Sequence, residues 1–492
     1  MALSAIIIGS GYGGVGAAIA LQRAGVTDFT LLERSDAVGG VWRDNTYPGA
    51  ACDVPSHLYS YSFAQRPDWS AVYPNQPEIL EYLQGVAADF GVTSHVVTGA
   101  TATRATFDED AATWTVETAD GRTFTADILV GATGQLSNPV IPNLPGRADF
   151  TGPQFHTAQW DHDVDLAGTR VGLIGTGASA IQVGPAIVDE VDRLVVFQRS
   201  SPWAIYRPNK EFSPRQQALM RRVPAIGRLI RLLFWWFAEW RTNVAFRSDY
   251  RFTDQWARAV ERRIAKAVPD PEVRAKVIPD YRFGCKRILF TNDWYPLFGR
   301  DDVDLVHGGV ASVTPTGVIT PDGEAIDLDV LVWATGFDTM GFLKGIEVVG
   351  RDGLTLHGAW GREPSAHLGV TVPGFPNLFL VYGPNTNLGS NSIVAMIEQQ
   401  MAHLQGAVEH LHRTRAATVE VRPEVASAFR DEMHERQRGL VWGSCESWYL
   451  NDEGYSPTNW PGTVGEYRRR TATFDPADYV VGSTTTASPV AT

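Results

Sequence analysis

Gly9, Gly11 and Gly14 follow a short apolar run, Ala5–Ile8, and Glu33 stands 19 residues beyond the last of them. In such a turn the first glycine permits the tight bend. The second admits a pyrophosphate against the backbone, and the third lets helix and strand pack closely. A helix beginning there offers free N–H groups and its positive dipole end to phosphate. A carboxylate at the distance of Glu33 accepts hydrogen bonds from ribose hydroxyls. The pattern recurs at Gly175, Gly177 and Ala180, after the run Val171–Ile174. Here the next strand ends in Gln198, Arg199 and Ser200, with no acid. A carboxylate would repel a 2′-phosphate, whereas Arg199 and Ser200 can bind one. The second site is therefore expected to prefer NADPH to NADH.

Each motif requires a strand, a turn, a helix and a second strand to position it. The first reads as strand Ala5–Ile8, helix Val15–Ala24 and strand Phe29–Leu32; the second as Val171–Ile174, Ile181–Val188 and Leu194–Phe197. The two units lie about 165 residues apart, far beyond the period of a repeat array, which indicates two nucleotide-binding domains. Two further apolar phrases end in Ala132-Thr133-Gly134 and Ala334-Thr335-Gly336, one for each glycine motif. They mark where the chain leaves one domain for the other. The expected fold class is α/β with two Rossmann-like dinucleotide-binding domains. From about Lys210 to Asp280 the composition shifts to helix formers with many Arg and aromatic residues, which predicts a helical insertion in the second domain. Its segment Ile226–Trp240 is amphipathic and locally basic, a pattern that also suits a membrane surface. Packing over a substrate tunnel or on the domain below is the preferred reading.

The 492 residues suffice for two or three domains, and 44% hydrophobic with 20% charged residues is an ordinary globular balance. A net charge of −13 argues against a nucleic-acid partner. No apolar run reaches the roughly 18 residues of a membrane span, so no obligatory membrane partner is expected. The N-terminal apolar run leads straight into a glycine turn and lacks a charged leader, so it reads as a strand rather than a signal peptide. Cys52, Cys285 and Cys445 lie far apart. They form neither a C-x-x-C pair nor a metal-ligand cluster, which fits a reducing cytosol and gives no reason to expect a metal.

The pairing of glycine motifs with Ala-Thr-Gly phrases resembles the flavoproteins with two dinucleotide-binding domains. Two phrases narrow the resemblance. Phe150-x-Gly152-x-x-x-His156-x-x-x-Trp160-Asp161 is similar to the fingerprint of type I Baeyer–Villiger monooxygenases, and Gly39-Gly40-x-Trp42-x-x-x-x-Tyr47-Pro48-Gly49-x-x-x-Asp53 resembles that family's second signature. The similarity continues through Lys286-Arg287, Asn385–Gly389 and the C-terminal phrases SWYL and NWPGT. The resemblance implies FAD in the first domain and NADPH in the second. The FAD-binding domain is expected at 1–148 and 375–479, the NADP-binding domain at 149–208 and 281–374, the insertion at 209–280, and a disordered tail at 480–492. Cofactor-binding residues are expected at Gly9, Gly11, Gly14, Glu33, Gly40, Val41, Trp42, Tyr47, Asp53, Tyr59, Asn387 and Leu388. Others are expected at Gly175, Thr176, Gly177, Ala178, Ser179, Ala180, Gln182, Arg199, Ser200, Lys286 and Arg287.

The implied reaction uses NADPH and O2 to convert a ketone into an ester or lactone through a flavin C4a-peroxide. An anion kept deprotonated beside its target needs a fixed cation. Arg287 matches the family's catalytic arginine and Asp53 its partner; Lys286 would reach the 2′-phosphate. On the residues alone, Asp53 and Arg287 read as an ordinary salt bridge between domains. His156 is expected in the interdomain linker, coupling motion rather than reacting, with Trp160 as packing. One departure is Ser390, where related sequences often carry histidine; it bears on substrate choice and oxygenation. The helical run Ile393–Leu404 is expected to direct its N-terminus at the flavin. Alternatives are oxidation of S or N heteroatoms and, in a different class, a reductase or non-catalytic nucleotide-binding module. A ketone (or sulfide) and O2 are the expected small-molecule partners, with a cytoplasmic monomer or homo-oligomer as the setting.

Overall fold

The structure, a computed structural model, describes residues 2–245, 251–389, 391–447 and 449–482. Two five-stranded parallel sheets organise it. The first runs in the order Leu378–Leu380, Ile128–Gly131, Ser4–Ile8, Asp28–Leu32, Val96–Val97. The second runs Val303–His307, Arg193–Gln198, Arg170–Ile174, Val330–Trp333, Gln154–His156. The glycine-motif strand is central in each. Its neighbour on one side is the strand leading into the Ala-Thr-Gly phrase, with Ile8 opposite Gly131 and Ile174 opposite Trp333. The central strands of both sheets are buried on both faces, as in parallel sheets covered by helices.

The helix Tyr12–Arg23 covers the first sheet and lies against Ile393–Thr414. Their close approach needs Gly16, where a Cβ would sit 2.7 Å from Met401 Sδ. The helix Ala180–Ile187 plays the equivalent part in the second domain. The insertion is helical over Pro214–Arg222, Pro224–Ala245, Arg251–Ala267 and Pro271–Val277. Ser213 and Gln216 form a reciprocal cap at the first of these, and Asp270 caps the last. Smaller sheets at Ala102–Ala126 and Ser312–Asp327 lie outside the two parallel ones.

The tail is corrected at its start. Tyr479–Gly482 pairs antiparallel with Thr418–Val421, because Tyr479 is buried against His403, Phe474 and Thr371 and anchors the strand. Residues 483–492 lie outside the described residues, as does Ser390. Among the described residues no helix is long and apolar enough to cross a membrane.

Candidate active site

The two glycine turns have the same construction. Gly9 has φ +102° and Gly175 φ +118°, conformations that favour glycine. A Cβ on Gly9 would lie 2.6 Å from the Ala132 carbonyl oxygen, and one on Gly175 would run into that of Ala334. Each turn is thus pressed against its own Ala-Thr-Gly phrase. The N-terminus of Tyr12–Arg23 has no side-chain cap, and its Gly11 faces only Gly40. That is the donor set and the space a pyrophosphate requires. Glu33 is buried beside it, accepting from Ser10 N at 3.0 Å, Ser10 Oγ at 2.6 Å and Ser35 N at 2.9 Å. In the second domain the space around Gly177 is open, and Ser179 makes no capping bond to the helix that follows.

The residues expected to meet a 2′-phosphate come together. Lys286 Nζ donates to Ser200 Oγ at 3.1 Å, and Thr176 Oγ1 donates to the Ser200 carbonyl at 2.8 Å. Lys286 Nζ also lies 4.4 Å from the centre of the Tyr281 ring. Desolvation lowers its pKa, and the neighbouring Arg199 charge lowers it further against the opposing pull of Asp280. Two cations held close, with no carboxylate bonded to either among the described residues, suit a dianionic group.

Arg287 Nη2 donates to Asp53 Oδ2 at 2.6 Å, joining the two domains. Their side chains are 35% and 19% exposed, so the pair lies in an opening rather than in the core. The Asp53 charge is the chief cause holding the guanidinium pKa above its ordinary value. Burial raises the hydroxyl pKa of Tyr382 and Tyr449, against a smaller lowering by the Arg287 charge. The loop carrying Asp53 is fixed from the other domain. Gln182 Oε1 accepts from Tyr47 Oη at 2.9 Å, and Gln182 Nε2 donates to the Ala51 carbonyl at 2.9 Å. Trp42 Nε1 donates to Tyr59 Oη at 3.0 Å, and Val41 begins the short helix Val41–Asp44 that carries Trp42. Asn387 accepts from Tyr382 Oη at 2.8 Å and donates to Asn459 at 2.7 Å, with Leu388 beside it. Among the described residues, the helix Ile393–Thr414 starts without a side-chain cap, and Ser392 Oγ at that start is buried without a partner.

The contacts of the fingerprint residues are packing contacts. His156 is buried, its Nδ1 accepts from Ala158 N at 3.1 Å, and its ring packs on Phe337, just past the second Ala-Thr-Gly. Burial depresses its pKa to about 4, so it is neutral at physiological pH. A Cβ at Gly152 would run into the Asp329 carbonyl. Phe150 packs on the second sheet and Trp160 against Phe155, 4.9 Å between ring centres.

The cysteine expectation is overturned. Cys285 and Cys445, 160 residues apart, form a disulfide, so their spacing carries no argument for a reducing cytosol. Tertiary approach of Val441, Trp442 and Tyr449 onto the segment before Lys286 brings them together. Cys52 alone is free, and it is buried. Also unforeseen were Ser10, at the variable position between Gly9 and Gly11, Tyr281 and Tyr382, which stand in no motif, and Tyr449, to which its SWYL phrase assigned no role.

A family profile for pyridine nucleotide-disulphide oxidoreductases matches residues 6–232. A Baeyer-Villiger monooxygenase of Streptomyces coelicolor is 43% identical over 96% of this chain and 92% of its own. The chain belongs to the Baeyer–Villiger monooxygenases. A second of that name, from Pseudomonas aeruginosa, is 37% identical over 98% of this chain and 92% of its own. A closed crystal structure of cyclohexanone monooxygenase superposes with a TM-score of 0.88 at 30% identity, covering 98% and 99% of the two chains. A steroid monooxygenase bound to NADP gives 0.86 at 31%, covering 98% and 100%. As a member of this family the chain is an FAD-containing monooxygenase dependent on NADPH and O2. The reductase and binding-module readings are set aside.

Proposed function

We propose that oxygen insertion into a ketone takes place in the opening between the domains, with Arg287 as the catalytic cation and Asp53 as its positioning partner. Bound FAD would accept hydride from NADPH and activate O2, so that one oxygen atom enters the bond beside the carbonyl. The observation carrying this reading is the 2.6 Å pair Arg287–Asp53, made across the domain boundary and left partly open. A guanidinium there stabilises negative charge developing on oxygen, and the low-dielectric walls of Tyr382 and Tyr449 strengthen it. Asp53 fixes the planar fork. Gln182 fixes the Asp53 loop in turn, so the cation is referenced to both cofactor domains. Lys286, Ser200 and Arg199 would take the 2′-phosphate, the Gly9 turn and Glu33 the ADP half of FAD.

The test is ester formed per NADPH oxidised. Arg287→Ala should still bind FAD, because the Gly9 turn and Glu33 lie elsewhere. Its rate of ester formation should fall about 10²–10³-fold, the cost of removing one oriented donor from a developing oxyanion. Oxygen consumed should then appear as hydrogen peroxide. Arg287→Lys should not rescue, since a point charge on a flexible stem cannot replace the fork that Asp53 orients. Ester at the parental ratio from Arg287→Ala would place the cation elsewhere.

A further inference from the structure

The helix Pro224–Ala245 is buried on one side only. Gly227, Ala238 and Glu239 are buried, and Arg231 is nearly so. Arg231 pairs with Glu398 at 3.1 Å and donates to the carbonyls of His57, Leu58 and Ser60. Glu239 accepts from Asn391 Nδ2, Val464 N and Gly465 N, each at 2.9 Å. These polar bonds fix the rotation of the helix about its axis. Its outer side then carries Leu229, Leu232, Leu233, Trp236, Phe237 and Trp240, each between 49% and 61% exposed. Six large apolar side chains in one stripe is more than a solvated helix presents, and such a stripe marks an interaction site.

Charge indicates what covers it. The whole chain carries −13, yet residues 214–241 contain six arginines and one acid, a local charge of +5. Along one flank of the stripe runs a groove of about 550 Å³, lined by Arg23, Arg228, Leu232, Trp235 and Arg468 among others. Arg228 and Arg468 make no ion pair or hydrogen bond among the described residues. The one acid in the groove, Glu398, is already engaged by Arg231 and by Ser62 N at 2.6 Å. A stripe of Trp, Phe and Leu flanked by unpaired arginines is the pattern of a helix lying in the plane of a lipid interface: apolar side chains enter the acyl boundary and cations meet phosphate.

We infer that this face docks the protein on the surface of an anionic lipid bilayer, with the Leu229–Trp240 stripe inserted and Arg228 and Arg468 meeting lipid phosphates. A second copy of the chain is the competing occupant, but it would bring a second segment of charge +5 to the same face, and like charges disfavour that pairing.

The experiment is co-sedimentation of the FAD-loaded full chain with vesicles of mixed phosphatidylglycerol and phosphatidylcholine, and with phosphatidylcholine alone. The parent should pellet with the mixed vesicles and be released by salt. Arg228→Gln with Arg468→Gln should weaken binding roughly fivefold per arginine. Trp236→Ser with Phe237→Ser should weaken it at least tenfold, at unchanged turnover of a water-soluble ketone, because neither residue belongs to the catalytic opening. No binding by the parent, equal binding to phosphatidylcholine alone, or parental binding by both variants would overturn the inference. So would a parent that binds no lipid and is a dimer by light scattering, dispersed to monomer by Trp236→Ser with Phe237→Ser.

Discussion

The groups expected to read the 2′-phosphate come from two places in the chain, the strand end Gln198–Ser200 and the Lys286-Arg287 dipeptide. Ser200 Oγ at 3.1 Å from Lys286 Nζ ties them into one patch. A charge-assisted contact is worth about 1.5–3 kcal/mol, and NADH has no phosphate to make it. Lys286→Ala or Arg199→Ala should therefore raise KM for NADPH roughly ten- to a hundredfold and leave NADH little changed. Equal losses with both cofactors would show that neither residue reads the phosphate. At this scale the two glycine turns were legible, because a positive φ imposes its demand locally. Pairing Arg287 with Asp53 needed the family resemblance, since 234 residues separate them. Ser10, whose main chain and hydroxyl hold Glu33, is the variable position between Gly9 and Gly11, where the motif carries no signal for residue type.

The elements show which secondary structure the patterns could place and which contacts they could not. All three strand–turn–helix elements of both nucleotide units were legible, to within three residues at each end. What periodicity could not show was Val441 and Trp442 folding back on Cys285, since apolar clustering between distant loops leaves no spacing signal. The disulfide Cys285–Cys445 fastens that segment beside Lys286. Closing a loop of this length restricts the unfolded chain, so Cys445→Ser should cost about 2–4 kcal/mol of stability. Thermal melts should show the parent lowered by reductant to the level of Cys445→Ser, and the variant indifferent to reductant. A parent whose melt ignores reductant, and which unfolds without it to expose three reactive thiols, would contradict the bond.

On the scale of the whole molecule, two parallel sheets joined through linkers hold several buried, neutral histidines. Burial is the chief cause that depresses His57, His156 and His367 to about 4 and His403 to about 3. Unfolded, each would titrate near about 6.5. The contribution of each to stability is present above that ordinary value and lost as pH falls toward the folded one. The unfolded chain gains protons that the native chain refuses. Tm should thus drop steadily as pH is lowered from about 7 to about 4.5, steeply if all four histidines stay buried. A flat Tm across that window would mean that they are protonated in the fold. The two-domain plan was legible because each domain repeats one local grammar. The exposed side of Pro224–Ala245 was not, because amphipathicity gives the apolar face of a helix but not what it meets. The most direct test of the account is oxygen labelling. The FAD-loaded enzyme, given NADPH, a cyclic ketone and ¹⁸O2, should consume NADPH and oxygen one to one with lactone formed. The lactone should carry one labelled atom in its ring. Unlabelled lactone, or NADPH oxidised with only hydrogen peroxide as product across cyclic, linear and aryl ketones, would contradict it.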